Sequence, residues 1–155
     1  MIQDIFAAAL RPAPPLPALS RDAGGGGCDD HKQRQTILVI DDDASNLKLA
    51  RYVLEAEGYV VEEAVDAISA FEVLKTCNPA LIVMDIQLPG MDGWELTRRL
   101  KANFATRHIP VIAVTAYGVA GDREHAMAAG AIDYVEKPIS TLELPAIIRR
   151  HLPPN

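Results

Sequence analysis

From residue 36 to residue 152, short apolar runs alternate with segments in which apolar residues recur every three or four positions. The apolar runs predict five β-strands, at 36–41, 59–64, 80–85, 110–115 and 132–135. The other segments predict five helices, near 45–57, 66–76, 92–103, 119–129 and 141–152. This regular alternation predicts an α/β domain with a doubly wound, five-stranded parallel sheet. Right-handed crossovers leave few topologies, of which the strand order 2-1-3-4-5 is common at this size.

The polarity of each run predicts its place in the sheet. The first, third and fourth runs are almost wholly apolar, which is typical of strands buried on both faces. The second run contains Glu62 and Glu63 and therefore suits an edge. Gly58 and Gly130 follow predicted helices, where a C-terminal cap is expected. Pro145 lies inside the last predicted helix, which either begins as a loose turn and becomes regular after the proline, or kinks there.

The first 35 residues differ in kind from the rest of the chain. They contain four prolines between residues 12 and 17 and four consecutive glycines from Gly24 to Gly27. Because this composition cannot form a core, we expect a disordered Pro/Gly-rich extension at 1–35. The folded domain is then expected at 36–152, followed by a tail at 153–155.

Charge and composition narrow the class of partner. The net charge is −6, and since residues 1–35 carry four acidic and four basic side chains, all of it belongs to the residues that follow. An acidic domain is a poor nucleic-acid binder. No apolar run approaches the roughly 18 residues of a membrane helix. Cys28 and Cys77 are too far apart to form a metal or redox motif. We therefore expect a cytoplasmic protein that acts on other proteins, with neither nucleic acid nor membrane as a partner.

Polar side chains stand at the ends of four predicted strands. Asp41 and Asp42 follow the first, Asp85 ends the third, Thr115 ends the fourth and Lys137 lies just beyond the fifth. The carboxyl ends of parallel strands face one crevice, so these side chains are expected to meet. Carboxylates brought together repel one another unless a cation lies between them, and hard oxygen ligands favour Mg²⁺ or Mn²⁺.

Neighbouring residues at these strand ends suit other roles. The ammonium of Lys137 is a suitable partner for Asp85 and for a phosphoryl group, and the peptide before Pro138 can be cis. Asp43 is interpreted as a cap of the first helix, and Asp92 as the N-cap of the helix that contains Trp94. Trp94 is expected in the partial core. The four histidines share no spacing and are interpreted as surface residues.

Residues 36–152 resemble the receiver domain of two-component response regulators, which has a flavodoxin-like fold. The resemblance covers about three quarters of the chain. The matching stretches are Ile37-Leu38-Val39-Ile40-Asp41-Asp42-Asp43, Met84-Asp85-Ile86-Gln87-Leu88-Pro89-Gly90-Met91-Asp92-Gly93, Val114-Thr115-Ala116 and Lys137-Pro138-Ile139. All the acidic, hydroxyl and lysine positions occur in order, each at a strand end, which makes the resemblance highly specific.

The resemblance implies a role for each of these residues. Asp85 would accept a phosphoryl group from a kinase phosphohistidine. Magnesium would be held by Asp41, Asp42 and Asp85, with the backbone carbonyl of Gln87 as a further ligand.

Three other residues also take roles from the resemblance. Thr115 and Lys137 would contact the phosphoryl oxygens, and Tyr134 would be the aromatic switch residue. Gln87 and Tyr117, each two residues beyond a site residue, are expected to tune the access of water to the aspartyl phosphate.

These roles lead to three functional hypotheses. The first is a signalling switch, phosphorylated on Asp85 by a histidine kinase or phosphotransfer protein, with output through protein contacts of segments 119–129, 132–135 and 141–152. It would catalyse only its own phosphorylation and dephosphorylation. The second is a phosphorelay shuttle or a detached receiver of a hybrid kinase. The third is a phosphatase of the haloacid dehalogenase type, which needs an Asp-x-Asp with the nucleophile at the first strand.

Overall fold

The computed structural model describes residues 34–116 and 121–152, without the side chains of residues 122 and 123. Its strands are β1 (Thr36–Ile40), β2 (Val60–Ala64), β3 (Leu81–Asp85), β4 (Val111–Thr115) and β5 (Asp133–Glu136). Its helices are α1 (Ala44–Ala56), α2 (Ala67–Thr76), α3 (Gly93–Ala102), α4 (Asp122–Ala129) and α5 (Glu143–His151). Each predicted strand and helix is present, with ends that coincide with the predicted ones or differ from them by at most three residues.

All neighbouring strands of the sheet are parallel, and their order is β2-β1-β3-β4-β5. The predicted α/β fold, its strand order and the place of the second strand at an edge are therefore confirmed. Every residue of β3 and β4 is buried, as the apolar runs predict. In β2 buried and exposed positions alternate over most of the strand, which explains why its sequence tolerates two glutamates.

The strands separate two apolar layers. On one face Ile37, Val39, Leu81 and Val83 pack with α1 and α5. On the other face alternate strand residues pack with α2 and α3, because successive side chains of a strand point to opposite sides. A smaller cluster of Ile86, Ala113, Ala126 and Ala131 lies under α4, and Trp94 packs against it half-buried, as predicted.

Side chains determine where several helices begin. The carboxylate of Asp43 accepts hydrogen bonds from the first-turn amides of α1, and Asp92 does the same for α3, which confirms both predicted caps. Asp66, predicted inside a helix, is instead the N-cap of α2, in a reciprocal capping box with Ser69. Gly58 and Gly130 adopt positive φ angles just past their helices.

The last helix resolves the two alternatives for Pro145. Thr141 and Leu142 form a turn, and α5 begins at Glu143, so the proline lies in the first helical turn. Amides of the first turn have no partner within a helix, and a proline there removes no hydrogen bond. The helix therefore starts regularly rather than kinking.

The predicted division of the chain into extension, domain and tail stays a prediction, since most of 1–35 and all of 153–155 lie outside the described residues. Tyr117, Cys28 and His31 lie outside them as well. Within the part of the chain that the structure describes, no helix is both long and apolar enough to cross a membrane. Cys77, which ends α2, is a free thiol whose pKa is raised by burial.

Candidate functional site

The register of the strands places the predicted site residues at one edge of the sheet. Ile40 of β1 is opposite Met84 of β3, so the next residues, Asp41 and Asp85, leave the sheet at the same level. Asp85 is opposite Val114, which brings Thr115 to the adjacent position. Thr115 is in turn opposite Glu136, the residue before Lys137. Four residues that are far apart in sequence are thereby brought to one strand-end cluster.

Asp85 is the central carboxylate of this cluster and is only 2% exposed. Its Oδ2 accepts a hydrogen bond from the Nζ of Lys137 at 2.8 Å. Its Oδ1 accepts one from the backbone amide of Gln87 at 3.0 Å. The structure thus places Gln87 beside this carboxylate through its amide, while the predicted role of its carbonyl stays a prediction.

Asp41 is equally buried and is held from the side of α1. Its Oδ1 accepts from the backbone amide of Asp43 at 2.8 Å, and its Oδ2 from the side-chain amide of Asn46 at 3.1 Å. Burial raises the pKa of Asp41, the amide of Asp43 opposes this rise, and the charge of Asp85 adds to it. The surroundings of Asp41 therefore favour its charged form less than water does.

Asp42 completes the acidic group from the solvent side. It is exposed, and one carboxylate oxygen from each of Asp41, Asp42 and Asp85 lies within 4.8 Å of the others. Three converging carboxylates supply hard oxygen ligands of the kind that Mg²⁺ and Mn²⁺ prefer. Burial, and to a lesser extent the charge of Asp85, raise the pKa of Asp41, and a nearby cation would favour its charged form. The donor set therefore fits a divalent cation.

Lys137 is the ammonium partner of the cluster. Burial alone lowers its pKa, but the hydrogen bond and charge of Asp85 outweigh burial and hold the pKa above its ordinary value. Lys137 is consequently charged at neutral pH, with its Nζ 2.8 Å from Asp85 and 4.0 Å from Asp41. The Lys137–Pro138 peptide is cis.

Thr115 is buried beside Lys137 and linked to it through the backbone. Its carbonyl oxygen accepts a hydrogen bond from the Lys137 amide at 2.7 Å, and the residue is 2% exposed. Tyr134 is half-buried and packs on the small cluster that includes Ala113 and Ala126. Its predicted role as a switch stays a prediction.

Two residues of this region were missed at the sequence level. One is Asn46, whose amide binds Asp41; its position in the first turn after an acidic strand end was the available signal. The other is Gly93, the first residue of α3. A Cβ on Gly93 would lie 2.5 Å from the backbone oxygen of Asp85 and 2.6 Å from the Cα of Ile86. The amide of Gly93 donates to the Ile86 carbonyl at 2.8 Å, so this helix start is pressed against the backbone that carries Asp85.

Comparison with known proteins agrees with this geometry. The family model described as "response regulator receiver domain" matches residues 37–149. The polar-differentiation response regulator DivK of Brucella ovis is 38% identical over 118 residues, which are 76% of this chain and 96% of that protein.

Solved structures are similar along the same part of the chain. The receiver domain of the sensor histidine kinase PA1611 from Pseudomonas aeruginosa is 36% identical with a TM-score of 0.68, covering 76% of this chain and 96% of that one. That structure is described with a magnesium ion coordinated in its active-site cleft. A putative response regulator from Chloroflexus aurantiacus is 30% identical with a TM-score of 0.73, covering 76% and 97%.

Proposed function

The chain belongs to the response regulator receiver domain family of two-component signalling, and from this premise we propose that it is a phosphorylation-dependent switch with Asp85 as its phosphoryl acceptor. A histidine kinase or phosphotransfer protein donates the phosphoryl group. The proposed location is the cytoplasm. The output is a contact with another protein.

The observation that carries this proposal is the arrangement around Asp85. Its buried carboxylate lies against a charged lysine at 2.8 Å, and one oxygen from each of two further carboxylates lies within 4.8 Å of one of its own. A carboxylate nucleophile next to a fixed ammonium suits phosphoryl transfer, because that reaction depends mainly on positioning and on compensation of negative charge.

The chemistry follows from these positions. A carboxylate oxygen of Asp85 forms a bond to phosphorus while the bond from phosphorus to the donor's histidine nitrogen breaks, and the nitrogen keeps the electron pair. Lys137 compensates charge on the phosphoryl oxygens, and the hydroxyl of Thr115 donates a hydrogen bond to one of them. Asp41, Asp42 and Asp85, together with the Gln87 carbonyl, would hold Mg²⁺, which supplies further charge compensation when bound.

The proposed output surface is formed by α4, β5 and α5. A groove of about 390 Å³ between β5 and α5 is lined by Tyr134, Glu136, Glu143 and Ile147, among others. Because Tyr134 lines this groove and also packs on the small cluster of Ile86, Ala113, Ala126 and Ala131, a movement of its ring would alter the groove. This shared residue supports the idea that phosphorylation is transmitted to this surface.

The first test is covalent labelling of the full chain by acetyl phosphate in the presence of Mg²⁺. We expect one phosphoryl group by intact-mass analysis, stable in acid and removed by hydroxylamine, as an acyl phosphate is. Asp85→Ala should abolish the label, whereas Asp133→Asn, a change in a partly buried aspartate outside the cluster, should retain it. A label that persists in Asp85→Ala and disappears in Asp41→Ala would contradict the assignment.

A second candidate is a phosphorelay intermediate or a detached hybrid-kinase receiver. The similarity to the receiver domain of a sensor histidine kinase favours it. The phosphorylated chain would then return its phosphoryl group rapidly to a histidine phosphotransfer protein. A label that decays only by hydrolysis in the presence of such proteins would support the switch instead.

The phosphatase hypothesis is disfavoured by the geometry after β1. Asp41-Asp42-Asp43 contains the required Asp-x-Asp spacing. The carboxylate of Asp43, however, accepts the amides of Ser45 and Asn46 and is used to cap α1. Rapid turnover of small phosphate esters by the Asp85→Ala variant would be needed to revive that hypothesis.

A further inference from the structure

Asn46 holds the carboxylate of Asp41 through its side chain rather than through the backbone. It lies half-buried in the first turn of α1, and its Nδ2 donates to the Oδ2 of Asp41 at 3.1 Å. The backbone amide of Asp43 donates to the other oxygen at 2.8 Å. Both oxygens of Asp41 are therefore fixed by neutral donors, and neither of these donors cancels the carboxylate charge.

The same Oδ2 of Asp41 is the oxygen that faces Lys137. The Nζ of Lys137 lies 4.0 Å from this atom but only 2.8 Å from the Oδ2 of Asp85. Two buried carboxylates thus stand near one ammonium, and only one of them forms the short contact. A rotation of Asp41 that released its oxygen from Asn46 would let it compete with Asp85 for the lysine.

The start of α1 does not depend on the Asn46 side chain. The N-cap is Asp43, whose carboxylate accepts the amide of Ser45 at 2.8 Å and that of Asn46 at 3.4 Å. The side chain of Asn46 is directed to Asp41 instead. If the side chain of Asn46 served only to stabilise the helix, we would expect it to accept one of the first helical amides, which need an acceptor.

We propose that Asn46 is a positioning residue of the cation site, which keeps Asp41 turned toward the acidic group and leaves Lys137 to Asp85. This inference rests on the proposed function, because it assigns Asp41 to a site for Mg²⁺. Partners of metal ligands orient them, and their loss commonly weakens metal affinity about 10- to 100-fold. Since Asn46 is half-buried and a backbone amide also holds Asp41, we expect the lower end of that range.

The test is calorimetric titration of the full chain with Mg²⁺. Asn46→Leu, which keeps the size of the side chain but removes its donor, should weaken binding roughly tenfold. Ser45→Ala, an exposed neighbour in the same helical turn, should bind as the unchanged protein does. Asn46→Ala serves as a second variant, because alanine favours the helix and so protects the fold if leucine disturbs it.

A double-mutant cycle separates positioning from a general effect on the domain. In an Asp41→Asn background, the further change Asn46→Leu should have little additional effect on the Mg²⁺ affinity. Labelling by acetyl phosphate should be slow in Asn46→Leu at low Mg²⁺ and recover at saturating Mg²⁺. Unchanged Mg²⁺ affinity in both Asn46 variants, or an equal loss in the Asp41→Asn background, would overturn the inference.

These outcomes are distinct from failure of the proposed function. If the unchanged protein binds Mg²⁺ and is labelled on Asp85 while the Asn46 variants behave like it, only the role of Asn46 is wrong. If the unchanged protein is not labelled on Asp85 at all, the proposed function fails, and the role of Asn46 fails with it.

Discussion

Asp41, which follows β1, is buried, and Asp133 in β5 is half-buried, yet the pKa values of these two carboxyls move in opposite directions. Burial raises the pKa of each carboxyl. At Asp133 that rise is outweighed by His151, whose Nε2 lies 2.9 Å from the carboxylate, with help from the Tyr134 amide and from Arg150. At Asp41 burial prevails, and the charge of Asp85 strengthens its effect.

The two regions differ in the number of carboxylates for each basic side chain. Asp133, at the start of β5, is one carboxylate with two basic partners from α5, Arg150 and His151. At the strand-end cluster, together with Asp42, three carboxylates instead lie near one ammonium. The contacts of the first group join α5 to β5 and favour the charged form of Asp133. The second is left negative, which suits a site that receives a cation and a phosphoryl group.

Removal of Lys137 should give the largest effect. In Lys137→Met the buried carboxylates lose their ammonium, and we expect the free energy of unfolding to fall by about 3 kcal/mol without Mg²⁺. This is the low end for breaking a buried pair, because the lysine side chain is 27% exposed. Labelling by acetyl phosphate should slow by roughly 10²-fold, as for loss of one charge-compensating group. Urea unfolding and intact-mass time courses measure both quantities.

The matched variant in the Asp133 region is Arg150→Met, which leaves His151 beside Asp133. This change should leave labelling unaltered. The free energy of unfolding should change by no more than a few tenths of a kcal/mol, as is usual for exposed ion pairs. A comparable loss of stability in both variants would mean that the charge ratio does not distinguish the two regions.

Asp133→Asn should have an intermediate, pH-dependent effect. The folded-state pKa of Asp133 is lowered, so its contribution is present above the ordinary value of 3.8 and is lost as the pH falls through the folded-state pKa. We expect the variant to be less stable by about 1 kcal/mol at pH 7. That difference should be smaller at pH 3, because the contribution of Asp133 is lost as the pH falls from 3.8 through the folded-state pKa. Urea unfolding of both proteins at the two pH values checks the sign, and a difference that grows in acid would contradict it.

Asp42→Asn should give a smaller effect than Asp133→Asn, with a sign that depends on Mg²⁺. Without the cation, removal of one of three carboxylates relieves repulsion, and stability should rise by less than about 1 kcal/mol. With Mg²⁺, the unchanged protein gains stability by binding the cation, while the variant gains less. Thermal melts in chelator and in Mg²⁺ measure the reversal. Glu72→Gln, which removes a surface carboxylate of α2, should show no reversal.

The sequence predicted the architecture well because the apolar patterns reflect burial directly. The runs that became β3 and β4 are buried throughout, and the polar second run lies at an edge. The strand-end residues could also be assigned to one place, since parallel strands bring their carboxyl ends together. Helix ends were less predictable. Asp66 is a cap rather than a helical residue, which depends on the reciprocal bonds of Ser69.

The contacts that the sequence did not predict depend on how the chain folds back on itself, which the apolar pattern does not show. All histidines were interpreted as surface residues. This holds for His108 and His125, but His151 is half-buried and bound to Asp133, 18 positions earlier in the chain. Asn46 likewise acquires its role only because the start of α1 turns back over Asp41.

The close approach of Gly93 to the backbone of Asp85 has a consequence for how substitutions are tolerated. Gly93 has no chemically active group, yet even a methyl group there would overlap the Asp85 carbonyl and the Cα of Ile86. Both of these are main-chain atoms, which cannot move aside as the end of a flexible side chain can. The main chain that carries the proposed acceptor, Asp85, therefore restricts position 93 to glycine unless that backbone shifts.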